Sequence, residues 1–220
     1  MKTAIVSCKT LETELTAAIA RTGVDYPVEW LESGLHNLPK KLNAKLSEVL
    51  SGLDADRVLL GMGYCGNSIA GLTTGDFELI VPRVDDCITL LLGSSARRAE
   101  IARELSAYFL TEGWMRGERN LWVEYQYSIE KYGEEMAQEL AEMMYAHYRT
   151  LALLDTGLED INALLDKTKI IADTLHLEQK VLPASVHFLE ELLTGPWEDG
   201  RYLIVPPHTT IAAGDLTLTT

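Results

Sequence analysis

Apolar residues fall into two rhythms along this chain, short unbroken runs and longer stretches at helical spacing, and the two alternate from the first residues onward. Thr3-Ala4-Ile5-Val6-Ser7-Cys8 is a short apolar run, and the amphipathic stretch Leu11 to Arg21 follows it directly, the order of a buried strand feeding a helix. After Gly23, Tyr26 to Leu31 predicts a second strand. The spacing of Leu38, Leu42, Leu46, Val49 and Leu50 then predicts a helix that begins near Pro39, a residue suited to the first helical turn. Arg57 to Gly63 and Phe77 to Pro82 read as third and fourth strands, apolar enough for the middle of a sheet. Cys87 to Leu92 is too short for periodicity to arbitrate and is taken as helix.

The second half keeps the alternation. Ala96 to Ala107 predicts a helix, Tyr108 to Leu110 a strand and Gly113 to Asn120 a loop. A long helix is expected from Ile129, where Tyr132, Met136, Leu140, Met143, Met144 and Tyr148 recur at helical spacing and Glu130, Glu134, Glu135, Glu139 and Glu142 fill a solvated face. Leu151 to Gly157 reads as a buried strand, Ile161 to Ala172 and Ala184 to Leu193 as helices, and Tyr202 to Val205 as a last strand before Pro206-Pro207. Strands alternating with helices predict an α/β fold: a mostly parallel sheet with helices on both faces and right-handed crossovers, a Rossmann-like three-layer sandwich. At 220 residues, without an internal repeat or a low-complexity linker, the chain is expected to form one domain spanning 1–220.

Composition narrows the partners. Hydrophobic residues at 47% and charged residues at 24% are ordinary globular values. A formal net charge of -14 opposes nucleic acid and anionic lipid, both bound mainly through Lys and Arg. No apolar run reaches the roughly 20 residues that span a bilayer, and the first strand turns polar too soon for a signal peptide. The expectation is a cytoplasmic protein with a small-molecule substrate and neither a nucleic-acid nor a membrane partner.

Ligands of open α/β sheets bind beyond the carboxyl ends of the strands. There the chain places its three cysteines: Cys8 closes the first strand, Cys65 lies in the glycine-rich turn after the third, and Cys87 follows the fourth through Arg83-Val84-Asp85-Asp86. If those strands are neighbours the thiols meet at one edge. Thiolates suit zinc, copper(I) and iron–sulfur clusters, so Cys8, Cys65 and Cys87 are candidate metal ligands, the alternative being small buried hydrophobes. Gly61-Met62-Gly63-Tyr64-Cys65-Gly66 matches the glycine pattern of dinucleotide-binding turns, with Asp85 and Asp86 about 20 residues beyond. It follows a third strand rather than a first, however, and a tight turn bringing backbone close to a ligand accounts for Gly63 and Gly66 as well.

If that turn opens a helix at Asn67-Ser68, its free N–H groups would hold an anion and lower the pKa of Cys65; simple helix capping is the alternative for those two residues. Gly63, Gly66, Asn67 and Ser68 are thus the candidate cofactor-binding positions, and Cys65 is the leading candidate nucleophile. Arg83, Asp85 and Asp86 stand where charged side chains fix a substrate, a structural salt bridge being the alternative, and Cys65, Arg83 and Asp86 form the candidate catalytic set. His36, in a loop after the second strand, is suited to completing a mixed site, and Trp114 either lines a pocket or anchors its loop.

Several phrases together carry a family likeness: Cys8-Lys9-Thr10-Leu11-Glu12, Gly34-Leu35-His36-Asn37, Gly63-Tyr64-Cys65-Gly66-Asn67, Pro82-Arg83-Val84-Asp85-Asp86-Cys87, Tyr108 to Trp114, Lys131-Tyr132-Gly133, Leu192 to Trp197 and Val205-Pro206-Pro207. Over nearly its whole length the chain resembles the prokaryotic domain-of-unknown-function family numbered sixteen-thirty-eight. That resemblance implies anaerobic bacteria and methanogens, and the company of corrinoid-dependent methyltransferases. The resulting expectation is a metalloenzyme holding zinc or a [4Fe–4S] cluster on the three cysteines, acting on a small anionic or methylated substrate in connection with corrinoid-dependent methyl transfer. Two alternatives stand beside it: a non-catalytic, metal-carrying accessory of a corrinoid methyltransferase system, and a nucleotide or cofactor binder in which the thiols are incidental.

Overall fold

The computed structural model describes residues 1–117, 120–198 and 200–217. Strand β1 (Thr3–Cys8) passes through a 3-10 turn (Lys9–Leu11) into helix α1 (Glu12–Thr22), which Gly23 ends in the left-handed conformation at φ 73°. Then follow β2 (Val28–Leu31), α2 (Pro39–Gly52), β3 (Arg57–Gly61) and β4 (Glu78–Pro82). The ambiguous run is helix α3 (Cys87–Leu92), because a carboxylate oxygen of Asp86 accepts the Thr89 N–H at 3.0 Å and Gly93 closes the other end. Helix α4 (Ser95–Leu105) leads to β5 (Ala107–Leu110).

Two sheets share the strands. The first has the order β2-β1-β3-β4-β8, in which β8 (Tyr202–Val205) runs antiparallel to β4 and the other pairs are parallel. The second is parallel throughout, with β6 (Thr150–Asp155) between β5 and β7 (Glu178–Pro183). The chain is therefore an α/β protein built on mostly parallel sheets with helices around them, Rossmann-like as its alternation predicts. β1 and β6 are flanked on both sides and carry the near-continuous apolar runs that central parallel strands require.

Three stretches differ from expectation for physical reasons. Within the expected loop 113–120, residues 112–116 form α5 (Glu112–Arg116), capped by the Thr111 hydroxyl, which accepts the Trp114 N–H at 3.3 Å; residues 118 and 119 lie outside the described residues. The expected long helix is two, α6 (Leu121–Tyr132) and α7 (Glu134–Tyr145), parted at Gly133, whose φ of 85° and ψ of 163° only glycine adopts freely. Strand β7 was not foreseen, because Glu-Gln-Lys-Val-Leu-Pro lies at the edge of its sheet and has no apolar run to announce it. The remaining helices are α8 (Ile161–Thr174) and α9 (His187–Thr194). No helix among the described residues is long and apolar enough to cross a membrane.

The larger core gathers around the first sheet, where Ile5, Leu11, Leu15, Leu59 and Leu79 are fully buried, each contributing roughly 1.5–3 kcal/mol of transfer free energy as an upper estimate. A second cluster, with Leu110, Leu151, Leu153 and Ile171, sits between β5–β6 and helices α6 to α8. The larger core reaches the second sheet through Phe109, Ala152 and Leu154, and α5 lies on the turn after β1 so closely that a Cβ at Gly113 would stand 2.1 Å from the Thr10 carbonyl oxygen. The beginning of β5, Ala107 to Phe109, lies across from the carboxyl edge of the first sheet.

Candidate functional site

A cavity of about 580 Å³ opens beyond the carboxyl ends of β1, β3 and β4, and its opposite wall is supplied by β5 with Trp114 and Tyr148. This volume is in the range of small-molecule sites. All three cysteines line it.

The glycine-rich turn forms the floor through an uncommon backbone path. Cys65, Gly66 and Asn67 all have positive φ, at 43°, 70° and 61°. Asn and Gly tolerate this conformation, whereas for Cys65 it is strained. The turn is held down from several sides. Tyr64 N–H donates to the Val84 carbonyl at 2.9 Å and Cys65 N–H to the Asp85 carbonyl at 2.7 Å, while the Ser68 N–H and hydroxyl both donate to the Tyr64 carbonyl at 2.9 Å. Gly63 is required by close approach, since a Cβ there would fall 2.6 Å from the backbone nitrogen and Cα of Asp86.

No helix begins at Asn67-Ser68, where the chain continues in turns, so the free N–H groups expected to hold an anion are not assembled. Of the four candidate cofactor-binding positions Gly66 lines the cavity, whereas Gly63, Asn67 and Ser68 shape the turn behind it. The nucleotide or cofactor reading loses its basis for the same reason: a phosphate would meet no helix N-terminus after these glycines.

Two of the thiols, Cys8 and Cys87, are pushed toward their neutral form. Burial first, and then the neighbouring Cys87, push Cys8 up to about 11, although the Thr10 hydroxyl donates to its sulfur at 3.0 Å. Cys87 is buried at the first position of α3. The neighbouring Cys65 thiol first, and then desolvation, raise it well above an ordinary cysteine. Thiolates are what zinc and iron–sulfur clusters bind. Among the described residues, moreover, no group of three or more His, Cys, Asp or Glu side chains is arranged to hold a metal ion. The expected metalloenzyme on Cys8, Cys65 and Cys87 is corrected on this geometry. With it fall the zinc or [4Fe–4S] centre and the metal-carrying accessory role, which rested on those three ligands.

The charged candidates divide. Asp86 lines the cavity, caps α3 and pairs with Arg98 of α4 at 2.6 Å. Beside it, Asp85 is shifted upward, chiefly by burial and then by the Asp86 charge. Arg83 is elsewhere. Its guanidinium donates to the Tyr202 carbonyl at 3.3 Å, the Asp215 carbonyl at 2.9 Å and the Thr217 hydroxyl at 2.7 Å, tying the end of β4 to β8 and the C-terminal segment. It is absent from the cavity lining, so the role of orienting an anionic substrate expected of it is corrected.

His36 and Trp114 both line the cavity, their ring centroids 6.1 Å apart, and burial lowers the His36 pKa, favouring the neutral ring. Sequence reasoning missed Glu32, Asn37, Arg98, Tyr108, Phe109 and Tyr148 as lining residues. Arg98 and Tyr148 were absorbed into helical patterns, and Tyr108 stands near the start of a strand rather than at its carboxyl end. Nothing in residue spacing marks them. A second cavity of about 380 Å³ shares His36, Asn37, Tyr108 and Trp114 with the first and adds Tyr145 and Glu124. Tyr148 and Tyr145 meet Tyr108 edge to face at 5.2 and 6.0 Å, and burial raises the pKa of Tyr108.

Residues 30–193 match the family described as "Protein of unknown function (DUF1638)", and the chain belongs to that family. No curated protein and no solved structure matches it.

Proposed function

We propose that this protein binds a small organic cation in the thiol-lined cavity. The observation that carries the reading is the charge balance of the lining. Glu32, Asp85 and Asp86 face Arg98, which among the described residues is the only Lys or Arg side chain there and is already held by Asp86 at 2.6 Å. His36, its pKa lowered by burial, adds little positive charge. An entering anion would meet net negative charge, and an entering cation would be attracted to it. The walls support the same chemistry, because Trp114, Tyr108, Tyr148 and Phe109 offer aromatic surface, and aromatic faces attract ammonium groups by about 0.5–2 kcal/mol. Recognition, rather than a named reaction, is the function proposed.

Titration calorimetry with three ligands of one shape, benzylammonium, benzyl alcohol and benzoate, tests the reading. Benzylammonium is expected to bind tightest and benzoate weakest, by about tenfold or more, which is roughly 1.4 kcal/mol. Asp85→Asn should remove most of the preference. Because the Asp85 pKa is raised, cation affinity should increase as pH rises through its titration and this group becomes charged. Tighter binding of benzoate than of benzylammonium would overturn the proposal.

A further inference from the structure

Of the three thiols in the cavity wall, two are matched to each other. Cys65 is the neighbour that bears most on Cys87, whose thiol it pushes up. The segments that carry them are fixed side by side by the Cys65 N–H to Asp85 carbonyl bond at 2.7 Å, and by the approach of Gly63 to the Asp86 backbone. The third thiol has other company: Cys8 accepts from the Thr10 hydroxyl at 3.0 Å and points its S–H toward the Glu32 carbonyl at 4.0 Å. Cys65 sits in a strained left-handed conformation at φ 43°, which the hydrogen bonds of the turn maintain, and outliers of this kind gather at functional positions. Both sulfurs border a cavity wide enough to admit a small oxidant.

We propose that Cys65 and Cys87 are a redox-active dithiol, converted to a disulfide by a hydroperoxide entering the cavity. Cys65, in the strained turn that borders the cavity, reacts first. Its sulfur attacks one peroxide oxygen, the O–O bond breaks, the other oxygen leaves as water or alcohol, and Cys65 becomes a sulfenic acid. The Cys87 sulfur then attacks the Cys65 sulfur, the S–O bond breaks and water departs. The sulfurs together give up two electrons, the peroxide takes them, and both thiol protons leave in the two released molecules. The segments of Cys65 and Cys87 are already held side by side, so their sulfurs need only a local approach to reach the disulfide bond length of about 2.05 Å. This inference stands apart from cation binding and does not depend on what occupies the cavity.

The test is a thiol map of the intact protein. After treatment with hydrogen peroxide, the protein is unfolded, alkylated with iodoacetamide and digested. The expected result is a Cys65–Cys87 cross-linked peptide, a protein lighter by two hydrogen atoms before alkylation, alkylation at Cys8 alone, and full reversal by dithiothreitol. Cys8→Ser should leave the cross-link unchanged, and Cys65→Ser and Cys87→Ser should each abolish it. Three alkylatable thiols after excess peroxide, a cross-link that includes Cys8, or sulfinic acid on one cysteine without any cross-link would overturn the proposal. The wild-type map decides the matter even where a serine variant fails to fold.

Discussion

The two sheets finish differently at their carboxyl edges. Beyond β1, β3 and β4 lies a cavity of about 580 Å³; beyond β5 and β6 the space among Glu14, Thr111, Glu112, Asp155, Glu159 and Asp160 is about 20 Å³, room for a single water. Both edges are rich in charge. At the second, nearly every carboxylate is engaged locally. Glu159 accepts from the Thr13 hydroxyl at 3.0 Å and Arg116 at 2.8 Å, Glu112 from Lys167 at 2.7 Å, Asp155 from the Gly157 N–H at 2.8 Å, and Asp160 caps α8. Only Glu14 stands out, 3% exposed with one carboxylate oxygen lacking a hydrogen-bond partner. The carboxyl end of a parallel strand is where a site can be built, but one remains open only where buried side chains leave room for it.

The strongest way to break the contrast is at the joint between the edges. In Gly113→Ala the new Cβ would stand 2.1 Å from the Thr10 carbonyl oxygen, a backbone atom that cannot swing aside. A loss of about 3 kcal/mol or more is expected in urea unfolding, at or beyond the upper end for overpacking. Gly52→Ala is the control, since nothing lies within 4 Å of its Cβ; it should leave stability unchanged or raised by up to about 1 kcal/mol. Equal midpoints for the two variants would mean that the sheets do not depend on this contact.

Glu14 offers the next largest effect. Burial, and then the nearby Glu159, raise its pKa from 4.5 to about 7, with Arg116 opposing. Between those values the folded chain keeps a proton that the unfolded chain releases. Its contribution to stability is therefore full below pH 4.5, falls as pH rises to about 7, and is constant above. The shift corresponds to about 3 kcal/mol as an upper estimate. Glu14→Gln should accordingly be more stable than wild type at pH 8, with the gap closing toward pH 4 in denaturant titrations. A gap independent of pH would show that the Glu14 charge is relieved in the folded state.

How far the sequence reveals this contrast depends on the residue. The run Thr3–Cys8 announces its strand because burial on both faces demands apolar side chains in unbroken order, and Tyr202–Val205 is as apolar although it forms an edge strand with Ile204 exposed. The alternation of elements is legible for the same reason, and so are Cys8, Cys65 and Cys87 as residues following strands. The division into two sheets is not legible, because chain order does not say which strands pair. Nor is the far wall of the cavity: Tyr108 and Tyr148 come from the second sheet's side, and chain order does not say which face of the first sheet that side meets. The upward shift of the Cys8 and Cys87 thiols was equally out of reach, since it follows from burial and from the approach of the cysteines to one another.

A smaller effect sharpens the first edge. Asp86 accepts from the Thr89 N–H and hydroxyl at 3.0 and 2.9 Å and pairs with Arg98, so Asp86→Ala should cost about 1–2 kcal/mol in thermal or chemical unfolding. Asp86→Asn keeps an N-cap of equal quality and should recover most of that loss. If Asn is as costly as Ala, the Arg98 pair and not the cap is what holds this wall of the cavity.

The smallest expected effect asks what keeps the second edge shut. Glu112 and Lys167 meet at 2.7 Å with side chains 23% and 44% exposed, a setting in which an ion pair contributes about 0.2–1 kcal/mol. A double-mutant cycle with Glu112→Gln and Lys167→Met isolates that coupling from the packing of the methylene stems. A value below about 1 kcal/mol is expected, because the buried Glu14, Thr111, Leu154 and Leu164 already fill the space and the charges only decorate it. A coupling above about 2 kcal/mol would reverse the reading: the edge would then be shut by its ion pairs, and the open cavity at the first sheet would owe its existence to electrostatics more than to shape.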